Sequence, residues 1–184
     1  MIMRNIKNSW KWRIAIATVL LALISIIFVS CSGPSPEQKR AEMQEVTGKI
    51  TKNIAVLENL TLEWKNIWQN IALGGITFDE GVAKLNAISV AAKEVSELVA
   101  TAPTPKWLKE KPLEDFDNMK KDISLSANAL AVASKAGAQM LQAGKLTAGD
   151  ISTMASYSKE ANNYLGKTIS MLNKFKDGYG VDKK

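Results

Sequence analysis

Apolar residues recur at every seventh position between residues 36 and 72, which is the spacing of one face of an amphipathic helix. Ser35 and Gln38 form a capping-box pattern around Pro36, a residue favoured at the first helical position. The pattern predicts a long helix over residues 36–72, ended by the Gly-Gly pair that follows. Its two apolar rows hold Met43, Ile50, Leu57, Trp64 and Ile71, and Val46, Leu60 and Ile67, with Asn53 interrupting the second.

The same spacing predicts three further helices. Thr77 caps the second helix, which ends before Pro103; the third covers about residues 112–143; and the fourth, capped by Thr147, ends at about residue 176. We expect each helix to bury its apolar rows. These hold Phe78, Leu85, Ile88, Ala92, Val95 and Val99, then Phe116, Met119, Ile123, Leu130, Ala133 and Met140, then Ile151, Met154, Ala161, Leu165, Leu172 and Phe175.

The connections between these helices are short, long and short, and no segment shows the alternation of a strand. The long connection, residues 102–112, contains three prolines. We therefore predict an all-α fold, an antiparallel four-helix bundle made of two helical hairpins. Residues 72–81 and 142–151 share Gly, then Ile or Leu, then Thr, then an acid. This echo fits a duplicated hairpin and fits two turns that obey the same capping chemistry, and both explanations stay open.

The N-terminus has a different character. Residues 1–13 carry four basic residues and no acid, and the 16 residues 14–29 carry no charge. A basic segment, an apolar run and a small residue are the parts of a secretory signal peptide. A transmembrane anchor is the rival interpretation, but this run would span about 24 Å as a helix against the roughly 30 Å of a hydrocarbon core.

A short motif favours the signal peptide. Phe28-Val29-Ser30-Cys31 resembles the lipobox of bacterial lipoprotein precursors, with Phe where Leu is usual. The resemblance implies that the thiol of Cys31 receives a diacylglyceryl group and that the bond before it is cut. It also implies that the new amino terminus is often acylated, with a fatty acid such as palmitate. Two or more acyl chains hold a protein stably on a membrane.

The chain is therefore expected to divide into four parts: a signal peptide (1–30), a lipidated Cys31 with a short tether (31–35), a helical bundle (36–176) and a flexible tail (177–184). This predicts an exported protein of the bacterial cell envelope, attached to a membrane through Cys31. Whether that membrane is the inner or the outer one stays open.

Composition excludes several functions. The chain has 24 basic and 18 acidic residues, but four of the basic ones precede residue 31, which leaves 20 against 18 and a net charge of +2. Nucleic-acid binding is not expected at that balance. Histidine is absent and Cys31 is the only cysteine. Imidazole catalysis, a thiol nucleophile and His-containing metal sites are thereby removed. We expect no catalytic residue, no metal and no cofactor, and therefore not an enzyme.

Two hypotheses of different classes remain. The first is a non-catalytic interaction module of the accessory, immunity or exclusion type, which binds an envelope protein. Its candidate contact residues are Trp68, Trp107 and Tyr164, because aromatic side chains bring large contact areas. The alternative is a carrier or sensor that holds a small apolar ligand between the helices. A cavity with convergent polar groups would favour the carrier, and a filled core with an exposed apolar stripe would favour the interaction module.

Overall fold

The computed structural model describes residues 33–144 and 147–181. It contains four helices, and no strand occurs in the described ranges. The predicted all-α, antiparallel four-helix bundle is confirmed. The chain divides into two compact units after Lys39, and the residues from Arg40 onward form the bundle. The helices are α1 (Pro36–Ala72), α2 (Phe78–Ala100), α3 (Glu110–Gln142) and α4 (Ala148–Tyr179). The predictions on residues 1–32, including Cys31, and on the side chain of Ile151 lie outside the described residues.

The predicted apolar rows form the core. Leu57 in α1 is 1% exposed, and the rows of α2, α3 and α4 are buried in the same way. Phe78 is the exception, with 42% of its surface exposed. It is the first residue of α2, where the helix has only begun to pack, so its assignment to the core is wrong. Leu60 and Met140 pack against the core while half-buried.

Local capping chemistry fixes where the helices begin and end. The Ser35 amide donates to Gln38 Oε1 at 2.8 Å, and the Gln38 amide donates to Ser35 Oγ at 3.2 Å. Thr77 and Glu80 form the same reciprocal pair at the start of α2. Gly74 adopts φ 70°, a left-handed conformation that glycine reaches without a side-chain clash. Both predicted capping boxes and the predicted end of α1 are therefore confirmed.

Helix α3 presents small buried side chains to its neighbours. It packs against α2 on one side and against α4 on the other. Hydroxyl groups where these helices meet donate across to backbone carbonyls: Ser89 Oγ to Ala131 O, and Ser126 Oγ to Ala161 O, both at 2.9 Å. The close approach therefore also satisfies polar groups that would be costly to bury alone. The small buried residues of α3 are Ser126, Ala127, Ala131, Ala133, Ser134, Gly137 and Ala138.

The prediction of a flexible tail from residue 177 is wrong for residues 177–181. Helix α4 continues to Tyr179, and Val181 is buried, with its amide donating to Lys176 O at 2.9 Å. Aromatic contacts explain the difference, because the Tyr179 ring stacks on Phe175 and meets Trp107 edge to face. Residues 182–184 lie outside the described part.

Candidate functional site

A groove runs between the C-terminal half of α1 and the N-terminal half of α4. Its volume is about 740 Å³. Pockets of roughly 300–1,000 Å³ are the usual size for sites that hold one small molecule. The described lining residues are Trp64, Lys65, Trp68, Gln69, Ile71 and Ala72 from α1, and Met154, Ala155, Ser158, Lys159, Asn162 and Asn163 from α4.

The two tryptophans form the aromatic wall of the groove. Trp64 and Trp68 are four residues apart, so they lie one turn above the other on the same side of α1. Their ring centroids are 6.1 Å apart at an interplanar angle of 63°, an edge-to-face pair. Trp64 is 6% exposed and Trp68 is half-buried. Trp64 therefore anchors this wall in the core, and the half-buried Trp68 extends it towards the open side of the groove.

Trp68 reaches across the bundle because α3 has no side chain at Gly137. A Cβ atom at Gly137 would lie 2.7 Å from Trp68 Cζ2 and 2.9 Å from Met154 Cε, closer than real Cβ atoms approach their neighbours. The space left by the glycine is thus filled from α1 and α4 together. Gly137 therefore sets the position of two lining residues of the groove.

Three buried polar atoms, two of them on the tryptophans of the groove, have no hydrogen-bond partner among the described residues: Trp64 Nε1, Trp68 Nε1 and Ser134 Oγ. Trp64 lies one turn before Trp68 on α1, and Ser134 lies one turn before Gly137 on α3. Because Trp68 contacts Gly137 and the two helices run in the same direction, Trp64 and Ser134 both lie one turn along the bundle from that contact. A buried donor without an acceptor costs roughly 1–3 kcal/mol, so the packing of each indole ring must offset the cost of its unpaired N–H group.

The groove has an apolar end and a basic end. Because α1 and α4 are antiparallel, the last lining residues of α1 lie beside the first lining residues of α4. The first lining residues of α1 lie beside the last ones of α4. No carboxylate occurs among the described lining residues. The apolar end holds Ile71, Ala72, Met154 and Ala155. The basic end holds Lys65, Asn162 and Asn163 beside Trp64, and the remaining lining residues, Trp68, Gln69, Ser158 and Lys159, lie between the two ends.

The candidate contact residues from the sequence do not come together. Trp68 lies in the groove, whereas Trp107 lies at the other end of the bundle, where its indole N–H donates to Glu42 Oε2 and its ring meets Tyr179. From Asn163, the last lining residue of the groove on α4, the helix extends about 24 Å to Tyr179 at that end, at 1.5 Å per residue. Tyr164 is half-buried on α4 outside the described lining, with Lys167 Nζ 5.7 Å from its ring centroid. The three residues therefore do not form one contact surface.

Sequence reasoning did not single out the polar residues of the groove. Ser158, Lys159, Asn162 and Asn163 look like an ordinary solvated helix face when α4 is considered alone. A signal was nevertheless present, since Ser158 and Asn162, and Lys159 and Asn163, have i, i+4 spacing one turn after Met154. The pairing of that face with Trp64 and Trp68 appears only in the fold.

A second groove of about 620 Å³ lies between the start of α3 and the end of α4. Lys111 and Asp115 pair on its rim, and this hydrogen bond to the carboxylate raises the pKa of the Lys111 ammonium. Burial raises the pKa of the Tyr179 hydroxyl. Lys174 also lines this groove, so one of its two lysines is paired with a carboxylate, whereas the lysines of the groove between α1 and α4 have no carboxylate among the described lining residues.

Other features bear on the function that the site can serve. Within residues 33–144 and 147–181, no three acidic, cysteine or histidine side chains converge as metal ligands would. No helix in the same ranges combines the length and the hydropathy that a membrane span requires. No protein-family profile, curated protein sequence or solved structure matches this chain.

Proposed function

We propose that this chain is an exported lipoprotein, held on a bacterial membrane by acylated Cys31, whose bundle carries or senses a small apolar ligand in the groove between α1 and α4. One observation supports this function above the others. The groove has the volume of a small-molecule site, an aromatic wall and a set of polar side chains that leaves one end apolar. This is the combination that distinguishes a carrier from an interaction module.

The exposed apolar residues support the same choice. Large apolar side chains are exposed on α1, α2 and α3, including Val56, Leu62, Val90, Leu98 and Val132. Val90 and Leu98 are eight residues apart on α2, about 12 Å along the helix, and the exposed Glu94 lies halfway between them on the same face. Exposed apolar residues that occur singly are ordinary on protein surfaces. A stripe that would favour docking of a protein is thus less well supported than the groove.

A lipid anchor suits a carrier of apolar molecules. Residues 32–35 make only a short connection between Cys31 and α1. The bundle would then work close to the membrane, where apolar molecules concentrate. Binding in a groove needs no catalytic residue, in keeping with the absence of histidine from the chain.

The test is to purify the protein from its host membranes and to record its native mass spectrum. We expect a bound small molecule on the wild-type chain that is lost from Ala155→Phe, because the new ring would fill the groove. Ala155 is exposed, so the fold should tolerate the change. Ala87→Phe, at an exposed position of α2, is the matched control and should keep the ligand. Equal ligand on all three proteins, or on none, would contradict the proposal.

A further inference from the structure

We infer that the ligand of this groove is a single-chain anionic amphiphile, specifically a fatty acid. Its carboxylate would lie at the basic end and its hydrocarbon chain would lie towards the apolar end. The inference rests on the proposed function, since it names the class of ligand for the same site. Three properties of the groove carry it: the sign of its charge, the order of its lining residues and its size.

Charge selects an anion. Lys65 and Lys159 line the groove, and no carboxylate accompanies them among the described lining residues. Both lysines are exposed, so an ammonium group of either can turn towards a bound head group. Asn162 and Asn163 add amide donors, and Ser158 adds a hydroxyl. Cationic head groups would meet only repulsion from the charged lining residues, and neutral ones would gain no ion pair.

The order of the lining residues sets the direction of the ligand. On α1 the lining ends in Ile71 and Ala72, after Lys65 and Gln69, and on the antiparallel α4 it begins with Met154 and Ala155. Both helices are thus apolar at the same end of the bundle, away from the two lysines. Trp64 lies beside Lys65 at the basic end and Trp68 lies between the two ends, and both offer ring surface to the chain. An amphiphile fits this gradient, whereas a uniformly apolar molecule would leave the basic end unused.

Size selects one chain. A groove of about 740 Å³ is within the range of sites that hold one drug-sized molecule. A single acyl chain with a compact carboxylate has that size. A phospholipid brings two acyl chains and a large head group, so much of it would have to remain outside the groove.

The experiment compares three probes that share a twelve-carbon chain and differ in the charge of the head group: laurate, methyl laurate and dodecyltrimethylammonium. Each is titrated calorimetrically into the full chain in phosphatidylcholine vesicles, with protein-free vesicles as the blank. We expect laurate to bind about tenfold more tightly than its methyl ester, and the cation to bind most weakly. Lysophosphatidate also has one acyl chain but carries a phosphate head group. It should bind less tightly than laurate, because this head group is larger than the compact carboxylate.

Variants locate the head group. Lys65→Gln and Lys159→Gln should each weaken laurate binding about two- to fivefold, a modest effect because both lysines are exposed. Binding of methyl laurate should stay the same in these variants. Lys52→Gln, at an exposed position of α1 outside the described lining, is the matched control and should leave both affinities unchanged.

The outcomes separate this inference from the proposed function. Equal affinity for laurate and methyl laurate would overturn the inference and leave the proposed carrier intact. Tightest binding of the cation or of lysophosphatidate would overturn it as well, and so would an equal loss in Lys52→Gln. Binding of none of the probes would overturn the inference and would also count against the proposed function.

Discussion

Trp68 lies against Gly137. The indole Cζ2 atom occupies a position 2.7 Å from where a Cβ atom of residue 137 would be, so these two residues share one space between α1 and α3. Met154 enters the same space from α4, with its Cε atom 2.9 Å from that position. The absence of a side chain at Gly137 thus determines how far Trp68, part of the wall of the groove, extends into the bundle.

Gly137→Ala should destabilise the fold by about 1–3 kcal/mol, because the added methyl group overpacks a filled site and the rigid indole must shift. Gly166→Ala is the matched control. Gly166 also lies in a helix, but nothing approaches within 4 Å of its Cβ position, so the change should stabilise by roughly 0.5–1 kcal/mol. Urea unfolding of both variants measures the difference. Stabilisation by both substitutions would refute the close contact.

Leu57→Asp should lower the free energy of unfolding by at least about 3 kcal/mol, since it places an unpaired charge in the core and leaves a cavity. Leu130→Asp should act similarly, because Leu130 is equally buried in α3. Leu62, five residues after Leu57 on α1, is 58% exposed. Leu62→Asp should therefore change stability by less than about 0.5 kcal/mol. Equal losses at Leu57 and Leu62 would contradict the assigned face of α1.

Acid should weaken the start of α2 through Glu80. The backbone N–H of Thr77, and then its side-chain hydroxyl, donate to this carboxylate and lower the pKa of Glu80. A folded-state pKa below the unfolded value of about 4.3 gives stability that is present above that pH and is lost as the pH falls through the folded pKa. Glu80→Gln keeps an acceptor but removes the charge, so its stability should fall less between about pH 5 and pH 3. Parallel acid profiles for wild type and Glu80→Gln would exclude this role.

Cys31 should become the acylated first residue of the mature protein. Intact-mass measurement of the membrane-extracted chain should show the loss of residues 1–30 and the added mass of lipid. Cys31→Ser should remain an uncleaved precursor, because the sulfur atom that accepts the lipid is missing. A full-length, unmodified wild-type mass would rule out the lipoprotein assignment.

Most of the fold could be predicted because it depends on local rules. The seven-residue spacing of Met43, Ile50 and Leu57 determines the buried face of α1, and the Thr77 capping box determines where α2 begins. The incorrect predictions occur where contacts between residues distant in sequence determine whether a side chain is buried or where a helix ends. Phe78 has the right spacing but too few neighbours, and the end of α4 is held by contacts of Tyr179 with residues distant in sequence.

The groove could be predicted only in part. The pair Trp64 and Trp68 stands out in the sequence, and Trp68 was a candidate contact residue. The facing residues Lys159 and Asn163 could not be assigned, since their place depends on the rotation of α4 against α1. The close approach of Trp68 and Met154 to Gly137 is likewise a contact between residues distant in sequence, which no periodicity reveals.

The most direct measurement is the quenching of Trp64 and Trp68 fluorescence by dibromostearate, whose bromine atoms quench only on close approach. After loss of residues 1–30 the proposed mature chain has three tryptophans, and changing Trp107 to Phe leaves Trp64 and Trp68 as the only reporters. In vesicles, we predict strong, saturable quenching that unbrominated stearate reverses and that Ala155→Phe abolishes. Quenching that is absent, or that is the same with and without Ala155→Phe, would contradict a ligand site between α1 and α4.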